Sequence, residues 1–183
     1  FLVLLGYILT TSIYTISLKR VPVVDVLALA FFYVYRLLAG AVAASVFLSP
    51  WLLAFAAFLF LSLGCLKRVG ELTLLRETET NIAHSGRGYA MEDLSMMALF
   101  GVNAGFLSVL VLALYMSSTE VISLYRHPNV LWGVAIMLLY WLMRMWLITW
   151  RGLMHDDPVL FAVRDRASQL AGVAVCLCLI LAL

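Results

Sequence analysis

Three short clusters of ionisable residues interrupt an otherwise apolar chain, and each carries side chains suited to phosphate or metal chemistry. In Y-T-I-S-L-K-R, Tyr14 to Arg20, an aromatic hydroxyl and the cations Lys19 and Arg20 close one apolar run, and Asp25 stands just inside the next. In C-L-K-R-V-G-E-L, Cys65 to Leu72, Lys67 and Glu71 are four apart and so share a helix face, with Arg68 beside them. In M-H-D-D-P-V-L-F-A-V-R-D-R, Met154 to Arg166, two adjacent carboxylates precede a proline and Asp165 follows eight residues after Asp157. Cations bind phosphate through charge-assisted hydrogen bonds, and carboxylates supply the hard oxygens that Mg2+ prefers. Two further cations, Arg36 and Arg144, lie within apolar runs, where an ionisable group costs several kcal/mol and normally faces a bundle interior or a wet cavity.

Each cluster also has a structural reading. Lys19 and Arg20 could anchor a helix end by snorkelling, Lys67 and Glu71 could form an ion pair, and Asp157 before Pro158 suits the N-cap of the last helix. Asp165 could pair with neighbouring arginines. Asp25 and Arg36 share a helix face but are separated by eleven positions, roughly 16 Å along the axis, so they cannot pair directly. A cavity open at one end, with Asp25, Lys19 and Lys67 at its mouth and Arg36 deeper, is the arrangement this spacing allows. Cys65, Cys176 and Cys178 fall inside apolar runs without zinc-like spacing and read as packing residues. His84, His127 and His155 are scattered over connections with no i, i+4 pair.

The elements that must position these clusters are membrane spans. The chain is 65% apolar and 12% charged, with a mean hydropathy of +1.06, far from the balance of soluble domains. Apolar runs predict spans at 1–16, 23–47, 51–66, 94–116, 129–150 and 167–183, an all-α polytopic helical bundle of six helices in one domain. If spans alternate, segments 17–22, 67–93 and 151–166 share a side and carry nine of the twelve Lys and Arg residues, whereas the other side carries only Arg126. The positive-inside rule then puts all three clusters at the cytoplasmic face of the cell membrane. The first run is short and opens on Phe1 with no initiator Met, which reads as the C-terminal part of a longer protein. The long connection 67–93 reads as a lid or a disordered loop.

In order, Y-x-x-x-L-K-R, V-V-D-V-L, R-L-L-A-G-A-V-A, L-K-R-x-x-E-L and H-D-D-P-V-x-F-A-x-R-D-R resemble the C-terminal two thirds of a UbiA-superfamily intramembrane prenyltransferase, from about Tyr14 to Gln169. The nearest resemblance is to the branch of decaprenyl-phosphate phosphoribosyltransferase and its phosphatase-fused relatives. That family has nine helices around a cavity open to the cytoplasm and to lipid. The resemblance implies that residues 1–183 supply helices four to nine and that the Asn/Asp-rich motif, which holds Mg2+ and a diphosphate, lies upstream, so the fragment alone should be inactive.

Carried over residue by residue, the resemblance implies Asp25 and Glu71 as catalytic candidates. Tyr14, Lys19, Arg36, Lys67, Arg68 and Arg164 become substrate or phosphate contacts, and Glu71, Asp157 and Asp165 potential metal ligands. The Lys67-Arg68-x-x-Glu71 segment has one carboxylate where the wider superfamily has Asp-x-x-x-Asp, which favours phosphate over a second metal. The implied chemistry displaces diphosphate from a phosphoribosyl or prenyl diphosphate, with a polyprenyl phosphate or an aromatic or other lipid acceptor and Mg2+ as cofactor. The partners implied are the bilayer, a polyprenyl lipid and a diphosphate donor, and not a nucleic acid. A membrane transporter or channel is the alternative that the buried arginines allow; it predicts broken helices and related halves, whereas all four prolines lie at span ends and no inverted repeat is legible.

Overall fold

The computed structural model describes residues 2–46, 48–77, 88–154 and 157–183, with side chains from residue 5 onward except those of Glu77 and Glu120. Apolar runs bounded by turn residues become helices: α1 (Leu2–Ile16), α2 (Val24–Ala44), α3 (Pro50–Glu77), α4 (Asp93–Met116), the short α5 (Thr119–Leu124), α6 (Trp132–Trp150), α7 (Pro158–Arg164) and α8 (Arg166–Ala182). Single 3-10 turns at Leu18–Arg20 and Pro128–Leu131 lead into α2 and α6. No strand occurs among the described residues.

Among the described residues, four helices, α2, α3, α4 and Pro128–Trp150, are long and apolar enough to cross a membrane, or five segments if α7 and α8 count as one bent span. Six such spans are therefore not seen among the described residues: the apolar part of α1, Leu5–Ile16, is shorter than a span, and α8, an unbroken helix of 17 residues over the last predicted span, reaches span length only together with α7 across an 82° bend. The bend falls at Asp165, whose carboxylate accepts from the Ser168 backbone N–H at 2.8 Å and so starts α8 as a separate helix. Asp157 correspondingly caps α7, accepting from Val159 N–H at 3.1 Å, and not the last helix as expected.

A second difference concerns α3. Its apolar run ends near residue 66, yet the helix continues to Glu77. At 28 residues it is about 42 Å long, well beyond the about 30 Å of hydrocarbon, so its charged C-terminal turns project past the apolar layer. The connection expected over 67–93 thus begins as helix. Its central residues 78–87, including His84, lie outside the described residues, as do His155 and Asp156.

The core forms where α3 lies among α2, α4 and α6. Val26, Cys65, Leu66, Val69, Leu72, Met97, Met145 and Trp146 pack as one buried cluster, with Trp146 Nε1 donating to Ser62 Oγ at 3.2 Å. Small residues allow the close approach: a Cβ on Gly101 would stand 2.3 Å from the Trp146 ring and 2.6 Å from Cys65 Cβ. Of the three cysteines, Cys65 is buried in this cluster, Cys176 is exposed and Cys178 intermediate. The backbone of His127 donates to Ala182 O at 3.0 Å, tying the entry of α6 to the end of α8.

Candidate active site

Four segments distant in sequence converge at the charged end of α3. The chain leaves α1 through the Leu18–Arg20 turn and enters α2 at Val23, a β-branched residue held at φ +69°, with Asp25 in the first turn of α2. The Val23 N–H donates to Tyr89 Oη at 3.1 Å, so the segment preceding α4 fixes this entry. Burial pushes the Tyr89 phenol up to about 12, and it stays neutral. Gly88 makes the close pass possible at φ +46°, because a Cβ there would fall 2.3 Å from Arg20 O. A β-branched residue at positive φ is a strained position that persists only when its surroundings enforce it, and such positions cluster at functional sites.

Asp25 is fully buried, at 0% exposure, and Arg68 is 2% exposed. Tyr14 Oη donates to Asp25 Oδ1 at 2.6 Å, Arg68 Nη2 donates to the same oxygen at 3.2 Å, and Arg68 Nε donates to Oδ2. Arg68 Nη1 turns the other way to Glu71 Oε2, one turn along α3. The pairing expected between Lys67 and Glu71 is replaced by two others: Arg68 takes Glu71, and Lys67 Nζ reaches Asp157 Oδ2 at 2.6 Å across to the start of α7. Burial raises the affinity of the Asp157 carboxyl for its proton, but the Lys67 ammonium and the Val159 N–H outweigh it and hold the carboxyl below its ordinary range.

Lys67, Glu71 and Asp157 line one cavity of about 130 Å³ together with Leu66, Gly70, Leu74 and Met154. Around it, two cations, Lys67 and Arg68, meet three carboxylates, Asp25, Glu71 and Asp157, a net charge of one negative. Two partly exposed carboxylates on a small cavity, Glu71 and Asp157, match in kind and number the one or two that Mg2+ takes beside phosphate oxygens. The donor set therefore fits, although no three His, Cys, Asp or Glu side chains converge among the described residues.

The remaining candidates lie elsewhere. Asp165 does not join Glu71 and Asp157: it forms a two-pronged pair with Arg144, at 2.6 and 2.9 Å, and accepts from the Ser168 hydroxyl, which in turn accepts from Trp141 Nε1 at 3.0 Å. The Arg144 guanidinium, followed by the Ser168 bonds, holds the Asp165 carboxyl below its ordinary range, a structural job at the bend rather than a ligand's. Arg164 is exposed at the end of α7. Arg36 is exposed on α2, donates from Nε to Tyr7 Oη at 2.8 Å and lies 5.5 Å from the centres of both the Tyr7 and Tyr33 rings. Lys19 is half-buried in the 3-10 turn and makes no hydrogen bond or ion pair among the described residues. Sequence reasoning missed Tyr89; the signal was the Gly-Tyr pair at the end of the long connection. It also missed the partnership of Arg144 with Asp165, which only the bend creates.

Helices of membrane-crossing length with a buried charge cluster at one end define a class, an all-helical chain of membrane character with a polar site at the rim of its apolar layer. No family model matches the chain. It is 30% identical over 178 residues to an uncharacterized protein, y4nM, of Sinorhizobium fredii, an alignment that covers 97% of this chain and 34% of that protein. It is 33% identical over 168 residues to nodulation protein NoeC of Azorhizobium caulinodans, covering 92% of this chain and 54% of that protein. The chain thus spans about a third of one curated relative and about half of the other.

Proposed function

We propose that the chain is part of an Mg2+-dependent intramembrane transferase of the UbiA type, which displaces diphosphate from a phosphoribosyl or prenyl diphosphate in favour of a polyprenyl-phosphate or other lipid acceptor. The observation that carries the reading is that residues from four of the five resemblance motifs meet in one charged cluster, in which Lys67, Glu71 and Asp157 line a cavity and Tyr14, Asp25 and Arg68 form the hydrogen-bonded network beside it. The charged end faces the cytoplasm of a multi-pass cell-membrane protein, as the distribution of Lys and Arg implies. Bound Mg2+ would supply charge neutralisation for the departing diphosphate. Glu71 and Asp157 would hold it, Lys67 would turn from Asp157 to a phosphate oxygen, and the apolar faces of α2, α3 and α4 would receive the lipid chain. The phosphoribosyl donor is favoured because the motif variants lie nearest that branch. Incubating the full-length protein with each donor set tests this: transfer from the phosphoribosyl diphosphate supports it, and transfer from prenyl diphosphates alone removes the phosphoribosyl version.

A transporter or channel gains one specific observation, the 82° break between α7 and α8, since broken helices are a hallmark of transporter sites. The Arg144 pair that fills the break argues that it is closed by protein rather than by a carried ion. Substrate flux into liposomes without product formation would favour this second reading.

A further inference from the structure

The charged end contains two kinds of carboxylate. Glu71, with 39% of its side chain exposed, and Asp157, with 34%, both line the cavity. Asp25 does not line it, has no exposed surface, and has both oxygens occupied by Tyr14 and Arg68. Nothing entering the cavity reaches Asp25 without dismantling that network. Arg68 likewise directs three nitrogens at protein carboxylates, two toward Asp25 and one toward Glu71. A guanidinium is a planar fork, so fixing two of its prongs fixes the direction of the third.

We infer that Asp25 acts on the site only through Arg68, as a positioning residue that sets the Glu71 carboxylate toward the ligand, with Tyr14 completing the clasp. This reverses the expectation that Asp25 is itself a catalytic group, and it rests on the transferase reading for the nature of the ligand. It also gives the docking of α2 on α3 a consequence at the cavity. Asp25 belongs to the first turn of α2, whose entry is pinned by Tyr89, while Arg68 and Glu71 belong to α3. A shift of α2 against α3 is therefore relayed to Glu71. An ammonium cannot replace this relay, since one point charge does not grip Asp25 at two places and point at Glu71 as well.

The test is a double-mutant cycle in the natural full-length protein in nanodiscs, reading the dissociation constant of inorganic pyrophosphate in the presence of Mg2+. Asp25→Asn, Tyr14→Phe and Arg68→Lys are each measured with and without Glu71→Gln. Residues that act as one network couple strongly: Asp25→Asn and Arg68→Lys should weaken binding about tenfold or more when Glu71 is present and less than about twofold when it is replaced. Tyr14→Phe, which removes one hydroxyl and keeps both charges, should show the same loss of effect at smaller size, and it remains informative if the charge variants do not fold. Equal fold-changes in the two backgrounds would overturn the inference, because a residue that merely supports the fold, or one that touches the ligand itself, acts whether or not Glu71 is present. Absence of Mg2+-pyrophosphate binding by the unsubstituted protein would overturn it too. Binding with the predicted coupling but no transfer product would leave it standing and remove only the transferase reading.

Discussion

Replacing Asp25 by Asn tests the buried clasp in its energetics. The substitution keeps the shape of the side chain and removes the charge that compensates a guanidinium with 2% exposure. Of the four bonds that join Tyr14, Asp25, Arg68 and Glu71, Asp25 accepts three. Turned one way, the new amide sets an N–H against Arg68 Nε; turned the other, against Arg68 Nη2 and the Tyr14 hydroxyl. Removing one partner of a buried pair costs about 3–5 kcal/mol, and because Glu71 still offsets part of the Arg68 charge, the lower end, about 3 kcal/mol, applies here. That is roughly a hundredfold or more in the unfolding equilibrium. The double variant Asp25→Asn, Arg68→Met removes both buried charges, but it leaves a buried amide with the Tyr14 hydroxyl as its one partner, at a cost of about 1–3 kcal/mol, and takes Arg68 from Glu71. It should therefore be more stable than Asp25→Asn alone, because no uncompensated guanidinium remains, while staying below the starting protein. Thermal unfolding of all three proteins in nanodiscs, followed by intrinsic Trp fluorescence, measures this. A double variant as unstable as the single one, or a single variant indistinguishable from the parent, would refute the reasoning.

Other outcomes follow from particular contacts. Lys67→Met removes a pair in which each side chain is about one third exposed, so stability should change by less than about 1 kcal/mol, while affinity for Mg2+-pyrophosphate falls; an unchanged affinity, measured by calorimetry, would take Lys67 out of the site. The Asp157 carboxyl is held below its ordinary range, so the Lys67 latch is fully present above the ordinary carboxylate pKa of about 4 and is lost as pH falls further, through the depressed value. A spin-label distance between α3 and α7 should accordingly lengthen only below about pH 4, and lengthening near neutrality would contradict the assignment. Asp165→Ala takes away a helix cap worth about 1 kcal/mol and leaves Arg144 without its two-pronged partner, so thermal stability should drop by more than the cap alone; a loss confined to metal binding would restore Asp165 as a ligand. Gly101→Val places side-chain atoms where a Cβ alone would stand 2.3 Å from Trp146, and overpacking of this kind costs typically 1–3 kcal/mol, read as a lowered unfolding temperature.

How much of this was legible in the sequence depends on the range of the interaction. The long helices α2, α3, α4 and α6 follow from apolar runs, and Pro22, Pro50 and Pro128 mark the starts of α2, α3 and α6, because hydropathy and helix-breaking are local properties. The end of α3 was misplaced because hydropathy falls at Lys67 and Arg68 while helix formation does not; charged residues with good helix propensity carry the helix beyond the apolar layer. The bend at Asp165 has no proline or glycine to announce it. Its signal is the Asp165-Ala-Ser spacing of an N-cap, and what stabilises it is Arg144, 21 residues away. At the site, the fold brings Tyr14, Asp25, Lys67, Arg68, Glu71 and Asp157, named from their residue types, into one charged region, and leaves Lys19 and Arg36, expected beside them, outside its network. The partners could not be read, since which cation takes which carboxylate is decided by how α2, α3 and α7 pack. Arg36 illustrates the limit: its co-facial spacing with Asp25 is real, yet its hydroxyl and ring contacts are made with Tyr7 and Tyr33.

The central claim is that this charged end belongs to an enzyme that transfers a group from a diphosphate to a membrane lipid. The most direct measurement is to incubate the purified full-length protein in nanodiscs with Mg2+, radiolabelled phosphoribosyl diphosphate and a polyprenyl phosphate, then count label in the lipid phase and pyrophosphate in the aqueous phase. The account predicts equal amounts of lipid-linked label and pyrophosphate, both abolished by chelation of Mg2+ and by Glu71→Gln. Label that stays in the aqueous phase with this donor, and lipid that stays unmodified with prenyl diphosphates as well, would contradict it.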